Sequence, residues 1–322
     1  MGCMGRVDLN KKERWAKLTI VMYHYVRPIK DSHYPGIKGL ELTGFQRQLD
    51  FLSNNYSFIT AEQLISYAHG KEDLPANACF LTFDDGYKDH IEYVMPELLS
   101  RNIQGSFFPP AFAVERREML DVNAIHFILA STKDIKTLIN ELNQACLTLG
   151  LSKPELLSLQ RNIEVASRYD PPEIIYFKRM LQHALPKEIS SVVTADLFKK
   201  YVGKSQVEFS EELYMSISDI KNLINNGMYV GSHGCRHVWL NKETSLGQFE
   251  EINQSLDFLK KVGAPSKDWI MCYPYGGYNA ETLNILKINK CAVGLTTEVG
   301  LASLDRSKML ELSRFDTNDF PQ

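Results

Sequence analysis

At 322 residues with 44% hydrophobic side chains, the chain can bury one large α/β core or two medium ones, so length alone excludes little. The 36 Lys+Arg against 39 Asp+Glu give a formal net charge of -3, and no basic block is present that would follow a phosphate backbone. Nucleic acid is therefore not an expected partner.

The first twenty residues are polar and charged and lack the apolar core of roughly 7–15 residues that a signal peptide needs. No later apolar run approaches a membrane span. Six cysteines (Cys3, Cys79, Cys146, Cys235, Cys272 and Cys291) lie far apart with no C-x-x-C pair, which reads as reduced thiols. The chain as given is expected to be cytoplasmic and soluble, with no transmembrane segment. Oligomeric state leaves no signature in it.

Short apolar runs followed by helical patterns recur from the start: 18–25 then 43–54, 78–83 then 88–100, and next the run 105–108. Such alternation predicts βα units and a parallel sheet or barrel. From 114 to 212 the period changes to 3.6, with Ile125, Phe127, Ile128, Ile135, Leu138, Ile139 and Leu142 spaced as on one helical face. That third reads as an all-helical insertion, broken by Pro154, Pro171, Pro172 and Pro186, and suited to a lid or an oligomerisation surface. The βα pattern resumes with a helix at 218–226, a strand at 228–232, a helix at 246–262, an apolar run at 269–273 and a helix at 280–288. Both outer parts thus share one architecture, and the whole is expected to be a single domain over 1–322.

Three strand-like runs end in ligand and acid/base side chains. Thr82-Phe83-Asp84-Asp85-Gly86-Tyr87 sets two adjacent carboxylates before a glycine that permits a sharp turn, which can swing both toward one site; a solvated Asp-Asp-Gly turn is the plain alternative. Gly231-Ser232-His233-Gly234-Cys235-Arg236-His237 places two imidazoles four apart, which in a helical turn share a face and can reach one ion. With one aspartate they make a two-histidine, one-carboxylate set that leaves positions open for water and substrate. Cys235 is an alternative ligand. Tyr273-Pro274-Tyr275-Gly276-Gly277-Tyr278 reads either as an ordinary turn or as a rigid one. In the second case it aims a backbone N–H at a developing oxyanion, with Tyr275 and Tyr278 as surfaces for a sugar ring. A fourth candidate is His24, a polar ring in the hydrophobic run Val21-Met22-Tyr23-His24-Tyr25-Val26. Alone it reads as a core histidine; beside the other three it is a natural proton donor, with an ordinary pKa of about 6.5.

In order, TFDDGY, SHGCRH and YPYGGY resemble the motifs of the polysaccharide deacetylases, carbohydrate esterase family 4, also called the NodB-homology domain. The resemblance covers the two outer parts and leaves the helical insertion 114–212, between the first and second metal motifs, unexplained. It implies a distorted (β/α)7 barrel with the active residues at the C-terminal ends of the strands. It also implies Asp84 as catalytic base, Asp85, His233 and His237 as ligands of one divalent metal, and Tyr275 as oxyanion N–H donor, with Tyr87, Tyr275 and Tyr278 toward substrate. Zinc is the first expectation for the metal, with cobalt, nickel or iron also accommodated by this ligand set.

The chain departs from the family pattern at three places. Gly234 stands where a Ser or Thr often steadies the loop. Cys272 stands where an arginine usually orients the base, so that work must come from another side chain. The C-terminal Leu-x-His that often carries the acid is missing, but one branch carries this histidine in an N-terminal Tyr-His motif, which Tyr23-His24 matches. The resemblance therefore implies removal of an N-acetyl group from an amino sugar of a cell-surface glycan or its precursor, with His24 as acid and acetate as product. Other readings are an O-acetyl esterase on the same scaffold, a weakened barrel that binds glycans or scaffolds a biosynthetic complex, and a non-haem iron oxygenase, whose usual all-β scaffold the βα alternation argues against.

Overall fold

The computed structural model describes residues 17–167 and 170–321. Cys3 and most of the N-terminal stretch used for the leader reading lie outside them. Strand β1 (Leu18–Tyr23) and strand β2 (Ala78–Asp84) are buried along nearly their whole length, without polar alternation, as a parallel strand covered on both faces requires. They pair in parallel from Leu18 opposite Ala78 to Tyr23 opposite Phe83. Strands β3 (Ser106–Phe108) and β4 (Tyr229–Val230) extend the sheet beyond β2, and β7 (Phe315–Asp316) flanks β1 on the other side.

Strands β5 (Trp269–Cys272) and β6 (Cys291–Leu295) form a separate parallel pair. Bridges join this pair to the sheet on both sides. Ser232, just past β4, bridges Met271 of β5, with the Ser232 N–H donating to the Ile270 carbonyl (3.0 Å) and the Cys272 N–H to the Ser232 carbonyl (2.8 Å). Leu295 of β6 bridges Leu312, three residues ahead of β7. The parallel strands β1 to β7 therefore close, in chain order, into a distorted barrel.

Helices return the chain between strands. Helices α1 (Leu42–Asn55) and α2 (Ala61–Ala68) lie between β1 and β2, α3 (Met95–Ser100) precedes β3, α12 (Ser245–Val262) precedes β5, and α13 (Ala280–Ile288) precedes β6. The single helix expected over 88–100 is instead a π-turn at His90–Val94 running into α3. Pro96 in the first turn of α3 lacks an N–H, so regular i→i−4 bonding cannot run through it, and the Met95 N–H reaches back to the His90 carbonyl instead.

Between β3 and β4 the chain runs through α4 (Ala111–Glu115), α5 (Asp121–Ser131), α6 (Ile135–Thr148), α7 (Lys153–Ile163), α8 (Pro172–Arg179), α9 (Lys187–Val202), α10 (Gln206–Leu213) and α11 (Ile217–Asn225). The prolines start helices here as well as interrupting them: Pro154 lies in the first turn of α7, Pro172 opens α8, and Pro186 caps α9. Helices α5 to α10 bury their own apolar cluster, in which Ile125, Phe127, Ile128, Leu138 and Leu142 are enclosed. Tyr25, Tyr87 and Tyr214 belong to the same cluster, so it extends to the mouth of the barrel. No helix among the described residues is long and apolar enough to cross a membrane.

Candidate metal centre

Asp85 follows the last residue of β2, and His233 and His237 lie in the loop after β4. Asp85 Oδ1 is 3.4 Å from His233 Nε2 and 3.3 Å from His237 Nε2. Together the three offer one ligand atom each to a common point, and all are buried. The histidines do not share a helical face, as their spacing had predicted. The segment is irregular, and the rings converge because Gly234 (φ 72°) and His237 (φ 58°) turn the backbone through the left-handed region.

Three of the non-glycine residues with positive φ belong to the site: Asp85 (φ 70°), His237 (φ 58°) and Tyr275 (φ 57°). Each such conformation costs of order 1 kcal/mol or more, and surrounding structure must impose it. After Asp85, Gly86 continues at φ 69°, and a Cβ there would lie 2.7 Å from the Pro109 Cβ. The second loop is fixed by Glu251 of α12, itself buried, whose Oε2 accepts the Cys235 and Arg236 N–H groups at 3.0 Å each and whose Oε1 pairs with Arg236. The Ser232 hydroxyl accepts the Gly234 N–H (3.1 Å). These bonds supply the steadying that Gly234 cannot. Cys235 is no ligand here, since its sulfur turns to Gln254 Oε1 (3.4 Å).

The donor set fits a cation. His233 Nδ1 donates to the Cys272 carbonyl (2.8 Å), which leaves the neutral ring's Nε2 lone pair facing Asp85 Oδ1. Two acceptors face each other there, and only a cation or a proton reconciles them. Asp85 Oδ1 and His237 Nδ1 are buried with no hydrogen-bond partner among the described residues. Burial opposes charge on His233, but the groups around it, Cys272 and Asp85 first, push its pKa well above the usual value. His237 is lowered, chiefly by burial.

Asp84 is the separate carboxylate. Arg314, which sequence reasoning missed, donates from Nη1 to Asp84 Oδ1 (3.0 Å), and its Nη2 lies 2.9 Å from Oδ2. Arg314 immediately precedes β7, and Phe315 is level with Val21 and hence with Leu81, so the guanidinium climbs past Thr82 (Nη1 to Oγ1, 3.1 Å) to reach Asp84. Its Nε donates to the Thr296 carbonyl (2.8 Å). Cys272, at the position of the expected arginine, donates its thiol to Asp84 Oδ2 (3.3 Å). Burial raises the Asp84 pKa, but Arg314, then His233 and His24, bring it down to about 2.

His24 lies just past the end of β1 and is half-buried, rather than enclosed within the strand. It is close enough to Asp84, Asp85 and His237 for its charge to act on all three. The His90 Nε2–H donates to the His24 carbonyl (3.0 Å) and fixes its backbone. Tyr275 packs edge-on against both His237 (4.5 Å between centroids) and Trp239 (4.3 Å). Tyr87 and Tyr278, expected to face substrate, both use their hydroxyls within the protein. Tyr87 is fully buried and donates its hydroxyl to Asp85 Oδ2 (2.5 Å), whereas Tyr278 stacks on Tyr273 and donates to Glu311 (3.1 Å).

Two cavities of about 510 Å³ each flank the centre. One is lined by His237, Tyr275 and Trp239, with His183 and Lys187 from the helical stretch. The other is lined by His24 and Tyr87, with His126, Asp170 and Lys178 from the same stretch. The helices between β3 and β4 thus wall both openings.

Residues 196–293, which include both histidines and Tyr275 but neither aspartate, match the family model described as polysaccharide deacetylase. The "Putative polysaccharide deacetylase YxkH" of Bacillus subtilis (strain 168) is 30% identical over 105 residues, which is 33% of this chain and 36% of that protein. The match thus spans about a third of the relative's length. Among solved structures, the Streptococcus pyogenes deacetylase PplD in complex with acetate is similar over 94% of this chain and 92% of that one, at 16% identity and a TM-score of 0.55. IcaB from Ammonifex degensii is similar over 88% and 85%, at 18% identity and a TM-score of 0.50. At these identities the likeness shows a shared fold.

Proposed function

We propose that this chain, a relative of the polysaccharide deacetylases, is a metal-dependent hydrolase that removes the N-acetyl group from an amino sugar and releases acetate. The observation that carries the reading is the convergence of Asp85 Oδ1, His233 Nε2 and His237 Nε2 beside a second buried carboxylate, Asp84, that is paired with Arg314. We assign zinc to the centre, although an Asp-His-His set accepts cobalt, nickel or iron as well. The chain is read as one domain, with the helical stretch 114–212 inserted between the two metal motifs.

A divalent cation held by Asp85, His233 and His237 supplies Lewis-acid polarisation of an acetyl carbonyl and, if it is zinc, lowers the pKa of water toward about 7. Asp84, held at about 2, is ionised at every physiological pH and takes the proton of the attacking water. The Tyr275 N–H, carried on a backbone turned at φ 57°, donates to the oxyanion. His24 gives its proton to the leaving amine nitrogen, which departs as the free amino sugar. At rest the Arg314 guanidinium balances the charge of Asp84; once Asp84 takes the proton that buried cation is left uncompensated, which favours passing the proton on.

We assign the substrate to cell-surface glycan synthesis, as the glycan or its precursor, and the protein to the cytoplasm. The unpaired state of the five described cysteines supports that location. The weakened-barrel reading rested on the missing arginine at Cys272, and Arg314 supplies that contact from the segment ahead of β7. Ester deacetylation uses the same arrangement and is an outcome of the assay. Acetate release from a panel of N- and O-acetylated amino sugars, with and without chelator, tests the proposal. Release from N-acetyl substrates that stops with chelator and returns with zinc supports it, and the absence of any release from the panel overturns it.

A further inference from the structure

We infer that the helical stretch between β3 and β4 takes part in metal binding, through a directional hydrogen-bond chain that ends on Asp85 and is set by Asn123 of α5. The inference rests on the metal-centre reading above and gives that stretch a task that its sequence pattern does not reveal.

The chain can be followed link by link. The Leu120 N–H donates to the Tyr214 hydroxyl oxygen (3.0 Å), and the Tyr214 O–H donates to Asn123 Oδ1. Asn123 Nδ2 donates to the Tyr87 hydroxyl oxygen (2.7 Å) and to that of Tyr25 (3.0 Å). The Tyr87 O–H donates to Asp85 Oδ2 (2.5 Å). Asn123, Tyr87 and Tyr214 have no exposed surface, so water cannot substitute for any link.

The direction of the chain follows from counting protons. Each hydroxyl has one proton to give. Because the Asn123 amide offers Nδ2–H to Tyr87, the Tyr87 proton is free to turn to Asp85. Flipping the amide would set Oδ1 against the Tyr87 hydroxyl, whose one proton could then meet it only by leaving Asp85, so the orientation that accepts the Tyr214 proton is the one that keeps the bond to the ligand. Every donor in the series points toward Asp85, and bonds aligned in this way polarise one another. The result fixes Oδ2, the oxygen turned away from the histidines, and leaves Oδ1 as the one presented to an ion. Tyr87 is held besides by stacking on Tyr25 (4.2 Å between centroids). Asn123 is thus a positioning residue: it acts on the metal through Tyr87 and Asp85.

The test is the affinity of the full chain for Zn²⁺, measured by competition with a chromophoric chelator, which needs no substrate. Partners that orient a metal ligand typically contribute about 10–100-fold to affinity. Tyr87→Phe is expected to weaken zinc binding by about that factor, and Asn123→Leu by about 5–20-fold. Because the two act in series, Asn123→Leu added to Tyr87→Phe should cost little more, whereas two independent structural effects would multiply. Tyr214→Phe removes a single oxygen from the far end and is expected to weaken binding a few-fold; it carries the test if Asn123→Leu fails to fold. Wild-type affinity in either variant of the far end, or full multiplication in the double variant, overturns the inference. A wild-type chain that binds no zinc overturns the metal centre as well, whereas the expected zinc pattern without acetate release would defeat only the hydrolase reading.

Discussion

Arg314 grips both carboxylate oxygens of Asp84, at 3.0 Å and 2.9 Å, from the residue just ahead of β7, 230 positions further along the chain. The pair is almost completely buried, so its geometry is stiff and its electrostatics little screened. In the family pattern that the chain resembles, an arginine at the position of Cys272 would do this work; here the thiol occupies the space and the guanidinium arrives from β7's approach.

Moving that arginine should therefore be tolerated if its head group returns to the same carboxylate. Arg314→Met is expected to lower acetate release by roughly 10²-fold through loss of base orientation, and to destabilise the fold by about 3–5 kcal/mol because a buried carboxylate loses its partner. Cys272→Arg combined with Arg314→Ala should recover a measurable part of both losses, read by acetate release and denaturant midpoint. No recovery in either readout would argue that the Asp84 contact depends on the approach from β7 alone.

The acid and the ligands should separate cleanly. His24→Ala is expected to lower the rate by about 10²–10⁴-fold with zinc content retained. His233→Ala should lose the ion itself. Metal analysis of the two purified variants distinguishes them, and zinc loss from His24→Ala would move that residue into the ligand set.

The first cavity predicts a binding effect without a chemical one. Trp239 and Tyr275 meet edge-on at its wall, beside His237. Trp239→Ala should raise KM by about 3–10-fold, the value of one aromatic contact of roughly 0.5–1.5 kcal/mol, and leave kcat nearly unchanged. An equal fall in kcat would show that the ring orients Tyr275 instead.

Asp89 gives a prediction for stability against pH. Burial raises its pKa, and although Arg27 at 2.7 Å opposes this, the carboxyl settles at about 6. Since the ordinary value is about 3.9, the folded state binds the proton more tightly than the unfolded one. The stabilisation this group contributes is complete below about pH 4 and is lost as pH rises through about 6. Its size is on the order of 2–3 kcal/mol. Urea midpoints of wild type and Asp89→Asn, compared from pH 4 to 7, should show a slope in the first that is absent from the second.

The legible parts of this molecule were those with local signals. Buried parallel strands without alternation revealed β1 and β2, and a ligand-rich turn marks each of the loops after β2, β4 and β5. Helix α2 had a signal that went unread, the Thr60–Gln63 capping box. Strand β7 had almost none, because two residues carry no periodicity. Arg314 was hidden for the same reason: nothing in Leu312-Ser313-Arg314-Phe315 distinguishes a buried guanidinium from a solvated one until β7 is known to adjoin β1. Asn123 was hidden by sitting on a helical face read only for its apolar content. The histidine pair was found through the right spacing but the wrong geometry, since left-handed turns, not a helix, bring the rings together.

Strand order gives the last segment of the chain an outsized part. The barrel shuts only when residues 312–316 slot between β6 and β1, and the same movement delivers a positive charge to the buried aspartate. Loss of that segment would leave two strand edges unzipped, each a template for association with another molecule. It would also strand a carboxylate in an apolar interior. Completion of the architecture and completion of the reaction centre are thus one event, and a chain cut short before residue 312 would be both sticky and inert.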